Sequence, residues 1–555
     1  MHRKNFIRLS GASLGSLLIS SHIKAEGKKN HSLKLPDSLS VQTDSGWFSL
    51  QSTNQNIWNY KDVAVELKSV ADSIAVHVQS PSSPLKTIKL TWKFPISKNA
   101  QLLGDHWERT YGDVQWKPVS ATAKMPWYVI QYDDKSTNCF GVKTGCSTIC
   151  YWQANTDELS LSLDTKSGGD GVKLGNRKLH AADIITTKSE ANENVFATTR
   201  RFCRMMCDKP RTVSQPVYGI NDWYFAYGNN SAELILQHTS VLATLVTDSS
   251  NKPFSVIDAG WAIKSPLLQD DCCWGDGFAT SNSKFGDMNK LAEQIKQLGM
   301  RPGLWTRPLC ARHDDKPSLL MPSIKQRNDP KSPLLDPTIE ENIERVENYL
   351  IAYKHWGYEM VKHDYTTFDI LGKWGFEMTD DITEPDWHFN DNSKTNAEII
   401  LNLYKSIRES AGDTYIIGCN TISHLSAGLF ELNRVGDDTS GNEWDRTRKM
   451  GVNTLGFRMV QHKTFYEADG DCVGLTNKVP WGKNKQWMQL LAESSAPLFI
   501  SAQPEAVGEE QKQFIRKSFA QAAKPQPVAE PLDWLTNPLP SKWRLNGKEV
   551  HFDWI

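Results

Sequence analysis

The sequence has no excess of charge of either sign. Its 63 Lys and Arg stand against 64 Asp and Glu, a formal net charge of −1, so no long-range field favours nucleic acid or an anionic membrane. Beyond the N-terminus it has no apolar run long enough to span a bilayer. It also lacks a Gly-rich strand-to-helix phosphate loop, which weakens the case for an open doubly wound sheet binding a nucleotide. The ten cysteines do not have the spacings of a disulfide framework. Cys203 and Cys207 in "CRMMC" and the adjacent Cys272 and Cys273 have no zinc partners at standard separation. They read as structural thiols or an occasional bridge. The "DDCCWGDG" loop fits no calcium-loop spacing and reads as a solvated loop, so neither metal nor cofactor is expected.

What is present is a soluble globular composition, with 39% hydrophobic and 23% charged residues over 555 positions, which suggests two to three domains. The 20 Trp and 15 Tyr supply flat amphipathic rings, useful in sugar sites and equally in cores. The start, "MHRKNFIRLSGASLGSLLISS", is basic and then apolar over a stretch too short for a stable anchor. It reads as an export signal within residues 1–25, cleaved between Ser20 and Glu26, giving a periplasmic or extracellular protein. "HRKNFIR" is similar to a twin-arginine signal with Lys4 in place of the second Arg.

Residues 40–212 show short runs of period two, such as "VAVELKSVADSIAVHVQS" and "TIKLTWKF", with almost no helical periodicity. This predicts an N-terminal β-sandwich. From residue 213 to 525 buried strands alternate with amphipathic helices. "FSVIDAGW", "MRPGLWTRP", "LLDP", "MVKHD", "TYIIGCN", "GLFELNRVGDD", "VNTLGFRMV" and "PLFISAQ" make eight strand candidates, which predicts a (β/α)8 barrel. Residues 526–555 form a short extension whose "WRLNGKEVHFDWI" suggests a hairpin at Asn546 and Gly547.

In such a barrel the C-terminal strand ends carry the chemistry. They hold Asp258 and Trp261, then Trp305 and Arg307, then Lys362 and Asp364. Cys419 and Asn420 follow, and then Arg434, Asp437 and Asp438. Several carboxylates, cations and aromatics at one mouth, without a metal triad, suggest glycoside hydrolysis by two carboxyl groups. Lys362 lies two residues before Asp364, hence on the same strand face, where it can keep the carboxylate ionised. His363 points to the opposite face and reads as packing. Arg307 is explained by a surface ion pair, and Asp437 by a second-layer or capping role.

"VIDAGW", "FGDMNKLAEQIKQLGMRPGLW", "VKHDYTT", "RVGDDTSG" and "DGDCVGLTNKVPW", together with "GDHWERTYGDVQW" and "NDWYFAYG", resemble glycoside hydrolase family 36 and its relative family 27, the α-galactosidase clan. The likeness runs from about residue 100 to about 505 in the order and spacing of these pieces. It implies a retaining, exo-acting α-galactosidase with Asp364 as nucleophile and Asp438 as acid/base. Asp258, Trp261, Trp305, Lys362, Cys419, Asn420, Arg434 and Asp437 would bind an oligosaccharide or polysaccharide. Asp258 matches the first of two adjacent carboxylates, but Ala259 replaces the second. Asp270, Asp271 or Asp276 are candidates to compensate. Otherwise the specificity shifts to a β-L-arabinopyranoside or an α-N-acetylgalactosaminide, and a silent carbohydrate-binding protein is the reading from another class. On the same resemblance, the family's C-terminal β domain is expected to be missing or reduced to the final hairpin.

Overall fold

Period-two alternation builds the N-terminal part. In the strand Val63–Val70, Val63, Val65 and Leu67 are buried while Ala64 and Glu66 are half-buried. It pairs antiparallel with Ser73–Ser80, Val65 facing Val78 and Leu67 facing Val76. Six strands form one antiparallel sheet and nine another, and Phe140 of the second meets Trp152 of the first at 6.2 Å. Fully burying each such side chain contributes roughly 1.5–3 kcal/mol. The computed structural model describes residues 34–248, 250–266, 275–324 and 333–555. The N-terminal signal, Asp270, Asp271, Cys272 and Cys273 lie outside the described residues.

The sandwich-like part is not purely β. Val195–Met206 is a helix, capped by Asn194, whose side chain accepts from the Ala197 amide. Its Thr and Phe residues suit strands as well, but buried Phe202, Cys203 and Met206 share one helical face.

The second part is a curled parallel sheet of nine segments with helices between them. Its spatial order is Glu467–Asp469, Leu432–Arg434, Tyr415–Gly418, Met360–His363, Arg301–Thr306, Phe254–Ile257, Tyr218–Asn221, Leu498–Ala502 and Cys472–Leu475. Only Gly470 and Asp471 separate the two outermost segments in the chain. "FSVI" and "MVKH" are buried at every position, as strands covered on both faces must be. The intervening helices carry their own punctuation. Asp287 caps Met288–Gln297 by accepting from the amides of Asn289 and Lys290, and Gly299 takes a φ of 92° just beyond its end. Glu340 and Glu341 open the helix Glu340–His355 and Lys354 and His355 close it, which suits the helix dipole.

Two strand assignments are corrected. "LLDP" is not in the sheet, since Leu334 and Leu335 make only isolated bridges to Cys310 and Leu320. "VNTLGFRMV" lies in a helical run, Arg448–Asn453 followed by Thr454–Arg458. Short apolar runs fit either state by periodicity. The missing strands are Tyr218–Asn221, short and polar at its end, and the interrupted pair Glu467–Asp469 and Cys472–Leu475, whose acidic residues disguised it. Asp258 therefore ends the second strand of the sheet in chain order, and Trp305 the third.

At the C-terminus Lys542–Leu545 and Lys548–His551 pair antiparallel around Asn546 and Gly547, with φ of 49° and 79°, the conformation a two-residue type I′ turn needs. The described cysteines are free and buried. Among the described residues no helix is long and apolar enough to cross a membrane.

Candidate active site

The strand Met360–His363 delivers Asp364 to the rim of the parallel sheet, where its amide donates to the Thr306 carbonyl at 3.0 Å. The half-buried carboxylate accepts from Trp305 Nε1 at 3.1 Å and from the Tyr365 amide at 2.8 Å. The second bond depends on Tyr365 adopting a left-handed φ of 66°, which costs a non-glycine residue roughly 1–2 kcal/mol. His363 faces away between Tyr404 and Phe430, at 5.7 and 5.6 Å, and burial pushes it down to about 3. Packing is its role, as the alternation predicts.

Below Asp364, Lys362 Nζ lies 2.7 Å from Asp258 Oδ2, which also accepts from Asn221 Nδ2 at 2.7 Å. Burial alone would lower the ammonium's pKa, but Asp258 outweighs it and holds Lys362 above its ordinary value. Asp222 supports this pair from behind: it accepts from the Asp258 amide and from Asn230 Nδ2, both at 2.7 Å. Burial first, and then the charge of Asp258, raises Asp222 to about 7.

Two strands further on, Arg434 joins three carboxylates. Its guanidinium reaches Asp471 at 2.7 Å, Asp438 at 3.1 Å and Asp469 at 3.3 Å. Asp469 and Asp471 are buried, whereas the Asp438 side chain keeps 38% of its surface. Tyr224 Oη and the amide and hydroxyl of Thr439 also donate to Asp471. Burial pushes Asp438 up, but Arg434, Arg109, Lys362 and Arg446 outweigh it and hold the carboxyl below its usual range.

The β-rich part completes the rim through the segment 108–111. Thr110 donates from its amide to Val435 and accepts from the Asp437 amide, at 2.9 and 3.0 Å, so it continues the Leu432–Arg434 strand edge. Arg109 pairs with Asp437 at 2.7 Å and lies over the Trp374 ring at 5.4 Å. Glu108, fully buried, accepts from Asn420 Nδ2 at 2.5 Å and from the Gly375 amide at 3.0 Å. "WERTYG" was legible as a junction piece, yet nothing in its pattern assigned Glu108 or Arg109 a role. Asp469 and Asp471 were missed because their strand was missed, although the acids of "EADGDC" are unusual for buried chain.

The structure thus brings Asp364, Lys362, Asp258, Arg434 and Asp438 to one end of the sheet. Cys419 lies among them, close enough to Asp364, Arg434 and Lys362 to feel their charges, and burial with Asp364 raises its thiol well above normal. Asp437 is turned to Arg109 and Arg446, at 2.7 and 2.8 Å, as a docking carboxylate. Asn420 spends its side chain on Glu108 and the Phe368 amide. Trp305 is 2% exposed and engages Asp364 through its N–H. Trp261 does not reach the mouth. It is fully buried against Phe278, Tyr353 and Trp356 and donates to the Trp305 carbonyl. Arg307 is not at the surface either: it is buried and paired with Asp369 at 2.6 Å. Asp276 accepts from the His313 amide at 2.7 Å. Among the described residues no cluster of His, Cys, Asp and Glu is arranged to hold a metal.

No family model matches the chain, and neither does any curated protein. Solved structures do. An α-galactosidase from Thermus thermophilus, in complex with p-nitrophenyl α-D-galactopyranoside, is similar over 93% of this chain and 98% of its own, with a TM-score of 0.61 and 15% identity. A family 36 α-galactosidase from Geobacillus stearothermophilus, AgaB, is similar over 87% of this chain and 74% of its own, at 0.58 and 12%. The galactosidase domain of an α-galactosidase-sucrose kinase, AgaSK, is similar over 87% and 74%, at 0.57 and 15%. The fold of this chain is the fold of the family 36 α-galactosidases.

Proposed function

We propose that the protein is a retaining, exo-acting α-glycosidase that hydrolyses terminal α-galactosides, with Asp364 as nucleophile and Asp438 as acid/base. The observation that carries this reading is a division of labour among carboxylates. Asp258, Asp469 and Asp471 are buried and engaged by Lys362 or Arg434, while Asp364 and Asp438 remain open at the rim. We take the parallel sheet as a (β/α)8 barrel, because its outermost segments belong to one interrupted stretch of chain. The Thermus relative was solved with an aryl α-galactoside and also with stachyose, which supports the choice of sugar.

In the first step Asp364 attacks the anomeric carbon and Asp438 protonates the departing oxygen. In the second, Asp438 takes a proton from water as it attacks the glycosyl ester. Trp305 and the Tyr365 amide hold the attacking carboxylate in one orientation, which is worth more in rate than in affinity. Because four cations hold Asp438 low in the free protein, its acid role belongs to acidic pH or to the sugar-filled site.

A second reading rests on Ala259, which is 1% exposed and offers no hydroxyl acceptor. It favours β-L-arabinopyranosides or α-N-acetylgalactosaminides within the same clan. A panel of aryl glycosides separates these: fastest turnover of the α-galactoside supports the first reading, and fastest turnover of either alternative replaces it. Equal inactivity of wild type and Asp364→Ala, with sugar still bound by both, makes the protein a lectin. We also take the N-terminus as an export signal, tested by N-terminal sequencing of protein recovered outside the cytoplasm.

A further inference from the structure

Between the sandwich-like part and the loop that follows Asp364 lies a cleft of about 450 Å3 that the chemistry above does not use. This is within the roughly 300–1,000 Å3 typical of small-molecule sites. Its apolar side is Trp107, Met378 and Phe376. Phe376 is a large ring left 60% exposed, held edge-on by Tyr111 at 4.9 Å. Beside it stands His106, with Nδ1 buried and without a hydrogen-bond partner. Burial pushes His106 down to about 4, against the pull of Asp113, so the ring is neutral. At the open rim are exposed Asp113, Gln115 and Lys117.

The remaining charges along the cleft are already spent. Asp105 is paired with Arg458 at 2.9 Å, and Lys124 with Asp380 at 2.9 Å. One acid, one base, an amide and a neutral imidazole therefore present hydrogen-bonding groups with no net charge. That balance disfavours phosphates, carboxylates and polyamines, which need a charge of one sign to offset their desolvation. An exposed flat ring beside neutral donors and acceptors instead matches the apolar face and hydroxyls of a pyranose.

We propose that this cleft is a second carbohydrate-binding site, for a neutral oligosaccharide. It shares only a wall with the Asp364–Asp438 mouth, through the Gly375 amide bonded to Glu108. The proposal is independent of the reading of the mouth. The test is calorimetric titration of the full chain carrying Asp364→Ala with stachyose at millimolar concentration. Binding that is weakened about tenfold by Phe376→Ala, and also weakened by Lys117→Ala, supports the site. Binding that neither substitution changes, or no binding at all, overturns it. Galactose release from stachyose by the chain carrying Phe376→Ala alone reports separately on the mouth. If no sugar is released even by wild type, the proposed hydrolysis fails while the titration still decides the cleft.

Discussion

Arg109 of the β-rich part and Asp437 of the parallel sheet form an ion pair of 2.7 Å, one residue before Asp438. The pair ties the two parts together beside the proposed acid/base, and it brings a cation to bear on Asp438 itself. Arg434, Lys362 and Arg446 act on that carboxyl in the same sense. Tyr224 and Tyr227 also face it and contribute no charge at neutral pH.

Arg109→Gln is expected to shift the pH profile. An acid catalyst loses activity as pH rises through its pKa, and removing one of the cations that lowers Asp438 raises that pKa. The alkaline limb of kcat/KM therefore moves to higher pH in Arg109→Gln, whereas Arg109→Lys keeps the charge and stays near wild type. Losing the partner of the half-buried Asp437, which keeps Arg446, also lowers stability, so thermal melts must show both variants folded at assay temperature.

Trp305→Phe should separate catalysis from folding. The ring's contacts with Phe278 and Tyr365 survive in a phenyl group, while the N–H bonded to Asp364 is lost. A hydrogen bond to a charged group contributes roughly 1.5–3 kcal/mol, so kcat falls about 10- to 100-fold with a small change in Tm. Trp261→Ala should do the reverse in emphasis, lowering stability by roughly 3–5 kcal/mol because the residue is core. Assays at a temperature where each variant is folded read these effects apart.

Asp222 gives the protein a stability that declines with rising pH. Its folded pKa of about 7 lies above the unfolded value of roughly 3.9, so the native state binds the extra proton between the two. The contribution is fully present below the unfolded value and is lost as pH rises through the folded one. The slope is at most about 1.4 kcal/mol per pH unit for each such group. Glu467, raised by burial to about 7, adds its own slope. Asp222→Asn should therefore flatten denaturant-derived stability between those values without abolishing the trend.

Alternation in "VAVELKSV" and the end of the amphipathic helix "GDMNKLAEQIKQLG" at Gly299 were legible because each is a local rule written in adjacent residues. The rim residues Asp258, Lys362, Asp364, Arg434 and Asp438 were legible because they interrupt apolar strands. Tyr218–Asn221 and the interrupted strand around Gly470 were not, since Asn221 and the acids Glu467, Asp469 and Asp471 break the apolar run that marks a buried strand. Trp261 and Arg307 misled for a different reason. A Trp suits both a sugar site and an interior, and an Arg–Asp pair suits both a surface and an interior, so only tertiary packing decided. Glu108 and Arg109 contact Gly375, Asn420 and Asp437, each more than 260 residues away in sequence, and no local pattern encodes such contacts.

The most direct measurement is mass spectrometry after trapping with a 2-fluoro-galactosyl probe. A stable glycosyl adduct is expected on the peptide containing Asp364, formed by wild type and absent from Asp364→Ala. Label at good occupancy on another carboxylate, Asp438 included, would contradict it.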